Sequence, residues 1–212
     1  TLTVKPRPVT ISTGDASKLY DGKPLTQNTA TYDPEALLPG HVLQYSVIGT
    51  RTDAGTSDNV IDRGSVSVTD AATGEDVSQY YEFIFDEGTL EVLPVPITVE
   101  TRSGKWVYDG KVHYGSSDVT LTEGKLLKGH YLFWNTDALS VRDAGSIKNA
   151  VYVKIRTANG TDMTHNYDIT YDFGTLSVYP RRLTISTPGD EKVYDGNPLT
   201  DETFTLEEGT VP

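Results

Sequence analysis

Apolar and polar positions alternate along this chain in short runs, and few stretches hold a helical spacing. Tyr81-Glu82-Phe83-Ile84-Phe85 alternates, Asp86-Glu87-Gly88 turns, and Thr89-Leu90-Glu91-Val92 follows. Tyr167-Asp168-Ile169-Thr170-Tyr171, Asp172-Phe173-Gly174 and Thr175-Leu176-Ser177-Val178 restate that pattern. A strand, a short glycine-containing turn and a second strand predict a β-hairpin. Residues 42–48 read as a further strand closed by Gly49. The only helix candidates are short, at 34–38 and 122–127. The expectation is an all-β fold of small β-sandwich or β-grasp-like domains, arranged end to end as a rod.

The alternating runs recur in register. Tyr20-Asp21-Gly22 returns as Tyr108-Asp109-Gly110 and as Tyr194-Asp195-Gly196, at spacings of 88 and 86. Before each lies a β-like run: Val9-Thr10-Ile11, Ile97-Thr98-Val99 and Leu183-Thr184-Ile185. Pro24-Leu25-Thr26 returns as Pro198-Leu199-Thr200. Gly40-His41 matches Gly129-His130, and Asp53-Ala54-Gly55 matches Asp143-Ala144-Gly145. The closing Gly-Thr-Leu-x-Val-x-Pro appears at 88–94 and 174–180. Ordered anchors at one period mark a tandem repeat. Residues 1–6 read as the last strand of a preceding repeat, 7–94 and 95–180 as two full repeats, and 181–212 as the N-terminal third of another. Such a third cannot bury a core of its own. Prolines 94, 96 and 180 stiffen the joints.

Composition narrows the function. The chain has 212 residues, 13 of them tyrosine, and its net charge is −12. That charge argues against nucleic acid and against anionic membrane surfaces. There is no cysteine, which excludes disulfides, thiolate catalysis and cysteine-ligated zinc. No apolar run reaches the length of a membrane span, so no membrane insertion is expected in this segment. The chain opens on Thr1 rather than Met, which reads as an excised segment whose targeting and anchoring signals lie elsewhere.

The full string, from β-run and Tyr-Asp-Gly through Gly-His and Asp-Ala-Gly to the closing Gly-Thr-Leu-x-Val-x-Pro, resembles the YDG/MBG-type repeats of large surface proteins and adhesins of Gram-positive bacteria. The resemblance covers essentially the whole chain. It departs in the second repeat, where Val112-His113-Tyr114 replaces Pro-Leu-Thr. The resemblance implies an extracellular, wall-attached array with no defined activity, ligand or cofactor.

Tyr-Asp-Gly reads as a structural turn, in which Asp accepts backbone N–H groups, Gly takes positive φ and Tyr anchors the core. His41 and His130 read as loop histidines with local hydrogen bonds, and no metal set converges on them. Asp53, Asp58 and Asp62, and Asp70, Glu75 and Asp76, are acidic groups without an EF-hand pattern. Asn159-Gly160-Thr161 fits a glycosylation sequon but reads as a turn. No Lys, Asn and acid set for an isopeptide crosslink is shared between repeats, since Asn166 aligns with Tyr80. No catalytic triad or phosphate loop stands out.

The primary reading is therefore a non-catalytic stalk or spacer whose partners are neighbouring repeats. Its alternative is a module that binds a host glycan or glycoprotein. Three positions that are polar elsewhere become aromatic in the second repeat: Trp106 for Lys18 and Lys192, Phe133 for Gln44, and Tyr114 for Thr26 and Thr200. Exposed aromatics suit a contact patch. Residues 7–94 carry net −9 and residues 95–180 net zero, so charge drifts while the anchors stay.

Overall fold

The computed structural model describes residues 2–135 and 139–208; the predicted segments reaching into 1, 136–138 and 209–212 lie partly outside the described residues. The fold is all-β, with several small sheets, and no α-helix occurs among the described residues. The first repeat carries β1 (Arg7–Thr13), β2 (Ala16–Leu19), β3 (Ala30–Tyr32), β4 (His41–Gln44), β5 (Gly55–Asp58), β6 (Ser67–Asp70), β7 (Tyr81–Asp86) and β8 (Thr89–Leu93). They pair as β3-β1-β7, β2-β8-β5 and β4-β6.

The second repeat carries β9 (Val95–Thr101), β10 (Gly104–Val107), β11 (His113–Tyr114), β12 (Val119–Glu123), β13 (His130–Trp134), β14 (Ser140–Val141), β15 (Gly145–Lys148), β16 (Val153–Thr157), β17 (Tyr167–Asp172) and β18 (Thr175–Tyr179). The orders β12-β9-β17, β10-β18-β15 and β13-β16 reproduce those of the first repeat. The pair β11-β14 corresponds to the single Leu25–Arg51 bridge upstream. Further on, β19 (Thr184–Ser186) pairs antiparallel with β20 (Thr205–Glu208), as β1 does with β3.

The predicted hairpins do not form. β7 runs parallel to β1, whereas β8 runs parallel to β2 and antiparallel to β5. The Asp86-Glu87-Gly88 segment is thus a corner that carries the chain from one sheet to another, alongside the Gly14-Asp15 corner between β1 and β2. The two corners are too close for side chains: a Cβ on Gly88 would stand 2.7 Å from the carbonyl oxygens of Thr13 and Gly14. A buried asparagine ties them together. Asn59 donates its side-chain amide to Gly14 O and Gln27 O, both at 3.0 Å, and its N–H to Gly88 O at 2.7 Å. Thr13 Oγ1 donates to Asn59 O and accepts the Gly88 N–H. Asn149, Thr101 and Gly174 repeat the same arrangement downstream.

The core follows the two-residue period of the strands. Val9, Ile11 and Thr13 of β1 face inward and Thr10 outward. Val9 and Ile11 pack with Leu37, Leu43, Ile61, Val68 and Tyr81. Each such aliphatic side chain contributes roughly 1.5–3 kcal/mol by leaving water.

Residues 2–6 pair with no described strand of this chain, and Leu2 and Val4 are exposed. Other expectations are corrected. The 34–38 candidate is a 3₁₀ turn at Pro34–Ala36, capped by Asp33 accepting the Glu35 N–H. The 122–127 candidate is the end of β12 followed by a bend at Gly124, whose φ of +75° stops the strand. Pro96 lies inside β9, as Pro8 lies inside β1; near a strand start the missing N–H is tolerated. Residues 181–206 are exposed apart from half-buried Thr184 and Ser186.

The chain divides into two compact units that cut across the sequence repeats. One holds the described residues of 1–97 with 123–132 and 154–169; the other holds those of 98–122, 133–153 and 170–212.

Candidate functional site

The recurring Tyr-Asp-Gly is one turn, built the same way three times. The carboxylate accepts the backbone N–H two residues on: Asp21 from Lys23 at 2.9 Å, Asp109 from Lys111 at 3.0 Å, Asp195 from Asn197 at 3.0 Å. The glycines take φ of +75°, +77° and +83°, which a side chain would oppose. Hydrogen bonding holds all three carboxyls below their ordinary range. Lys18 is the main cause at Asp21, and the backbone N–H is the main cause at Asp109 and Asp195. The tyrosine N–H fixes the turn to the end of the closing strand, Tyr20 to Leu93 O and Tyr108 to Tyr179 O, each at 2.8 Å.

What differs is the surroundings of the ring. Tyr20 is 4 % exposed, Tyr108 is half-buried and Tyr194 is 91 % exposed. Within the first compact unit, Tyr20 stacks on His130 at 6.1 Å and meets the edge of Tyr167 at 6.2 Å. A Cβ on Gly22 would stand 3.4 Å from the Leu127 side chain. Burial, with Asp53 and Tyr167 nearby, raises the Tyr20 hydroxyl above its usual range. Tyr20 and Gly22 thus sit on a seat made by segments 123–132 and 154–169.

The seat is itself organised. Tyr167 Oη accepts the Leu127 N–H at 3.0 Å and lies 2.7 Å from His130 Nδ1. The hydroxyl, with one proton and two lone pairs, accepts that amide and can pair with either tautomer of a neutral imidazole. Burial lowers the His130 pKa and favours that neutral form. In the first repeat, Tyr81 Oη engages Leu38 N–H and His41 Nδ1 in the same way. The Gly-His histidines therefore bond a tyrosine some 40 positions away, not a local group.

Beside the seat, Asn166 locks the Asp-Ala-Gly anchor. It is fully buried, accepts the Ala54 N–H at 2.6 Å and donates to Asp53 Oδ1 at 3.1 Å. His165 Nε2 lies 3.9 Å from Asp53 Oδ2.

In the second unit, Trp106 is half-buried and stacks on His113 at 4.9 Å, while His113 Nε2 lies 2.9 Å from Asp109 Oδ1. Trp106 and His113 thus occupy the place held upstream by Lys18, which bonds Asp21 and the carbonyls of Lys23 and Pro24. Tyr114 and Phe133 are exposed. Trp106, Tyr114 and Phe133 lie on β10, β11 and β13, in three different sheets. A separate three-ring cluster joins Tyr152, Tyr171 and Phe173 at 5.1–5.4 Å. Its first-repeat counterpart is polar: Arg63 covers the Phe85 ring and bonds Glu87.

The acidic loops serve the backbone. Asp62, Asp70, Asp76 and Asp162 each accept N–H groups two residues on. Hydrogen bonds from Thr164 bring Asp162 down to about 2. Among the described residues no three His, Asp or Glu side chains converge as a metal site. An open groove of about 380 Å³ is lined by Asp15, Ser17, Thr89 and Glu91, but Asp15 already accepts the Thr89 N–H at 2.7 Å.

Sequence reasoning missed Asn59, Asn149 and Asn166. The first two were detectable, since each stands four residues after the glycine of Asp-Ala-Gly. Asn166 was not, because Tyr80 takes its place upstream. No protein-family model matches this chain, and comparison with curated proteins finds no match either.

Proposed function

We propose that this chain is a non-catalytic stalk or spacer segment in which successive β repeats are clamped end to end as a rod, as the YDG/MBG resemblance implies for an extracellular, wall-attached surface protein. The observation that carries the reading is the seating of Tyr20, Gly22 and Asp53-Ala54 on Leu127, His130, Asn166 and Tyr167. The anchors that recur are spent on the backbone and on this seat, which is what a spacer requires of a repeat. The single-residue connection at Pro94 between β8 and β9 adds stiffness. Small-angle scattering tests it. A compact chain of this length has a radius of gyration of roughly 17 Å, and a rod of such repeats spans on the order of 80 Å. A compact value ends the proposal.

A second reading, in which the second repeat binds a host glycan or glycoprotein, is favoured by one observation. Where the first repeat has an Arg63–Glu87 ion pair over Phe85, the second has the rings of Tyr152, Tyr171 and Phe173. Glycan-array binding lost in Tyr152→Ala and kept in Trp106→Ala would place the contact there.

A further inference from the structure

Among the asparagines of this chain only Asn159 precedes a glycine. The pair lies in the turn that follows β16, where the Thr157 N–H bonds Thr161 O at 3.0 Å and the Gly160 N–H bonds Thr157 O at 2.9 Å. Asn159 and Gly160 are exposed, and a Cβ placed on Gly160 would meet nothing within 4 Å. Asn159 Oδ1 accepts from three donors: the Thr157 hydroxyl, the Thr161 hydroxyl at 3.0 Å and the Thr161 N–H at 3.4 Å. Asp62, Asp70, Asp76 and Asp162 offer a carboxylate to the N–H two residues on. Asn159 offers an amide there, whose carbon is an electrophile with a leaving group.

We propose that Asn159 is a modification site, at which the turn converts its own asparagine to aspartate and isoaspartate. The Gly160 amide nitrogen gives its proton to water or hydroxide and attacks Asn159 Cγ. The new C–N bond closes a succinimide ring, the Cγ–Nδ2 bond breaks, and ammonia leaves with a proton taken from water. Water then opens either carbonyl of the ring, and no oxidant or cofactor is consumed. Negative charge builds on Oδ1 during the attack, and donors already aimed at that oxygen stabilise it. Gly160 must first release Thr157 O, and a glycine at φ +89° can turn where a residue with a Cβ is opposed. The Thr161 donors do not depend on that bond. The first repeat supplies an internal control: Gly74 takes φ +75° in the matching turn, but Thr73 before it has no side-chain carbonyl. Conversion adds a negative charge to the turn that Asp162 closes with Lys154 at 3.5 Å. Isoaspartate also lengthens the main chain between Thr157 and Thr161, which disturbs their pairing.

The test is to age the full folded chain at neutral and at mildly alkaline pH and to follow each asparagine by peptide mass spectrometry, with aspartate and isoaspartate products separated. Asn159 should convert ahead of the other asparagines, faster at the higher pH because the deprotonated amide is the nucleophile, and should yield both isomers. Thr161→Val removes one donor from Oδ1 and should slow the conversion about tenfold. Thr161→Ser keeps the hydroxyl and should hold the wild-type rate; position 161 is exposed, so both variants keep the fold. An Asn159 that stays intact, a product that is aspartate alone, or a Thr161→Val chain that converts as fast as wild type or faster overturns the proposal. The last outcome would show that the hydroxyl restrains the side chain instead of activating it.

Discussion

Asn166 reaches across more than a hundred positions of sequence to bond Asp53 and the N–H of Ala54, and its side chain is sealed from water. Its loss leaves the Ala54 N–H without its partner. Asn166→Ala should therefore cost about 1–3 kcal/mol in chemical denaturation. In a double-mutant cycle with Asp53→Ala the two positions should couple by roughly 0.5–3 kcal/mol, whereas additive effects would show that the bond is not formed in solution.

His130 makes the seat sensitive to mild acid. Its folded pKa lies below the ordinary value of 6.5, so the unfolded chain binds a proton more readily than the folded one. Stability is then complete above about 6.5 and falls as pH drops from there toward the folded value. The difference between wild type and His130→Asn isolates the effect: wild type loses stability relative to the variant between pH 7.5 and 5.5, and parallel curves would contradict it.

Asp109→Ala removes the acceptor for Lys111 N–H and for His113. The transition of the second repeat should move to lower denaturant. Its Trp106 emission should change as well, because that ring is stacked on the histidine that Asp109 holds. Asp109→Asn, which keeps an acceptor oxygen, should recover part of the loss. An Ala variant with the wild-type midpoint would remove the structural account of the motif.

Gly88→Ala tests the double corner. The added methyl would press on the carbonyl oxygens of Thr13 and Gly14, which are backbone and cannot swing aside. A loss of about 1–3 kcal/mol is expected by thermal or chemical unfolding, against almost none for Gly64→Ala, where the nearest atom is a side-chain oxygen at 3.4 Å.

What the sequence determined by itself is local. Two-residue alternation says which side chains of β1, β7 and β8 face inward, because successive residues of a strand point to opposite faces. The Asp and Gly of each Tyr-Asp-Gly dictate the turn, because a carboxylate two residues from an N–H and a positive φ are properties of neighbours. The repeat register follows from the same anchors. Tertiary structure decided the partners. Alternation names a face and not the strand beside it, so β7 and β8 read as a hairpin although Gly88, meeting Gly14, sends them into different sheets. It also decided the fate of three equal tyrosines: Tyr20 is buried and Tyr194 exposed because burial depends on what packs from elsewhere in the chain, here His130 and Tyr167.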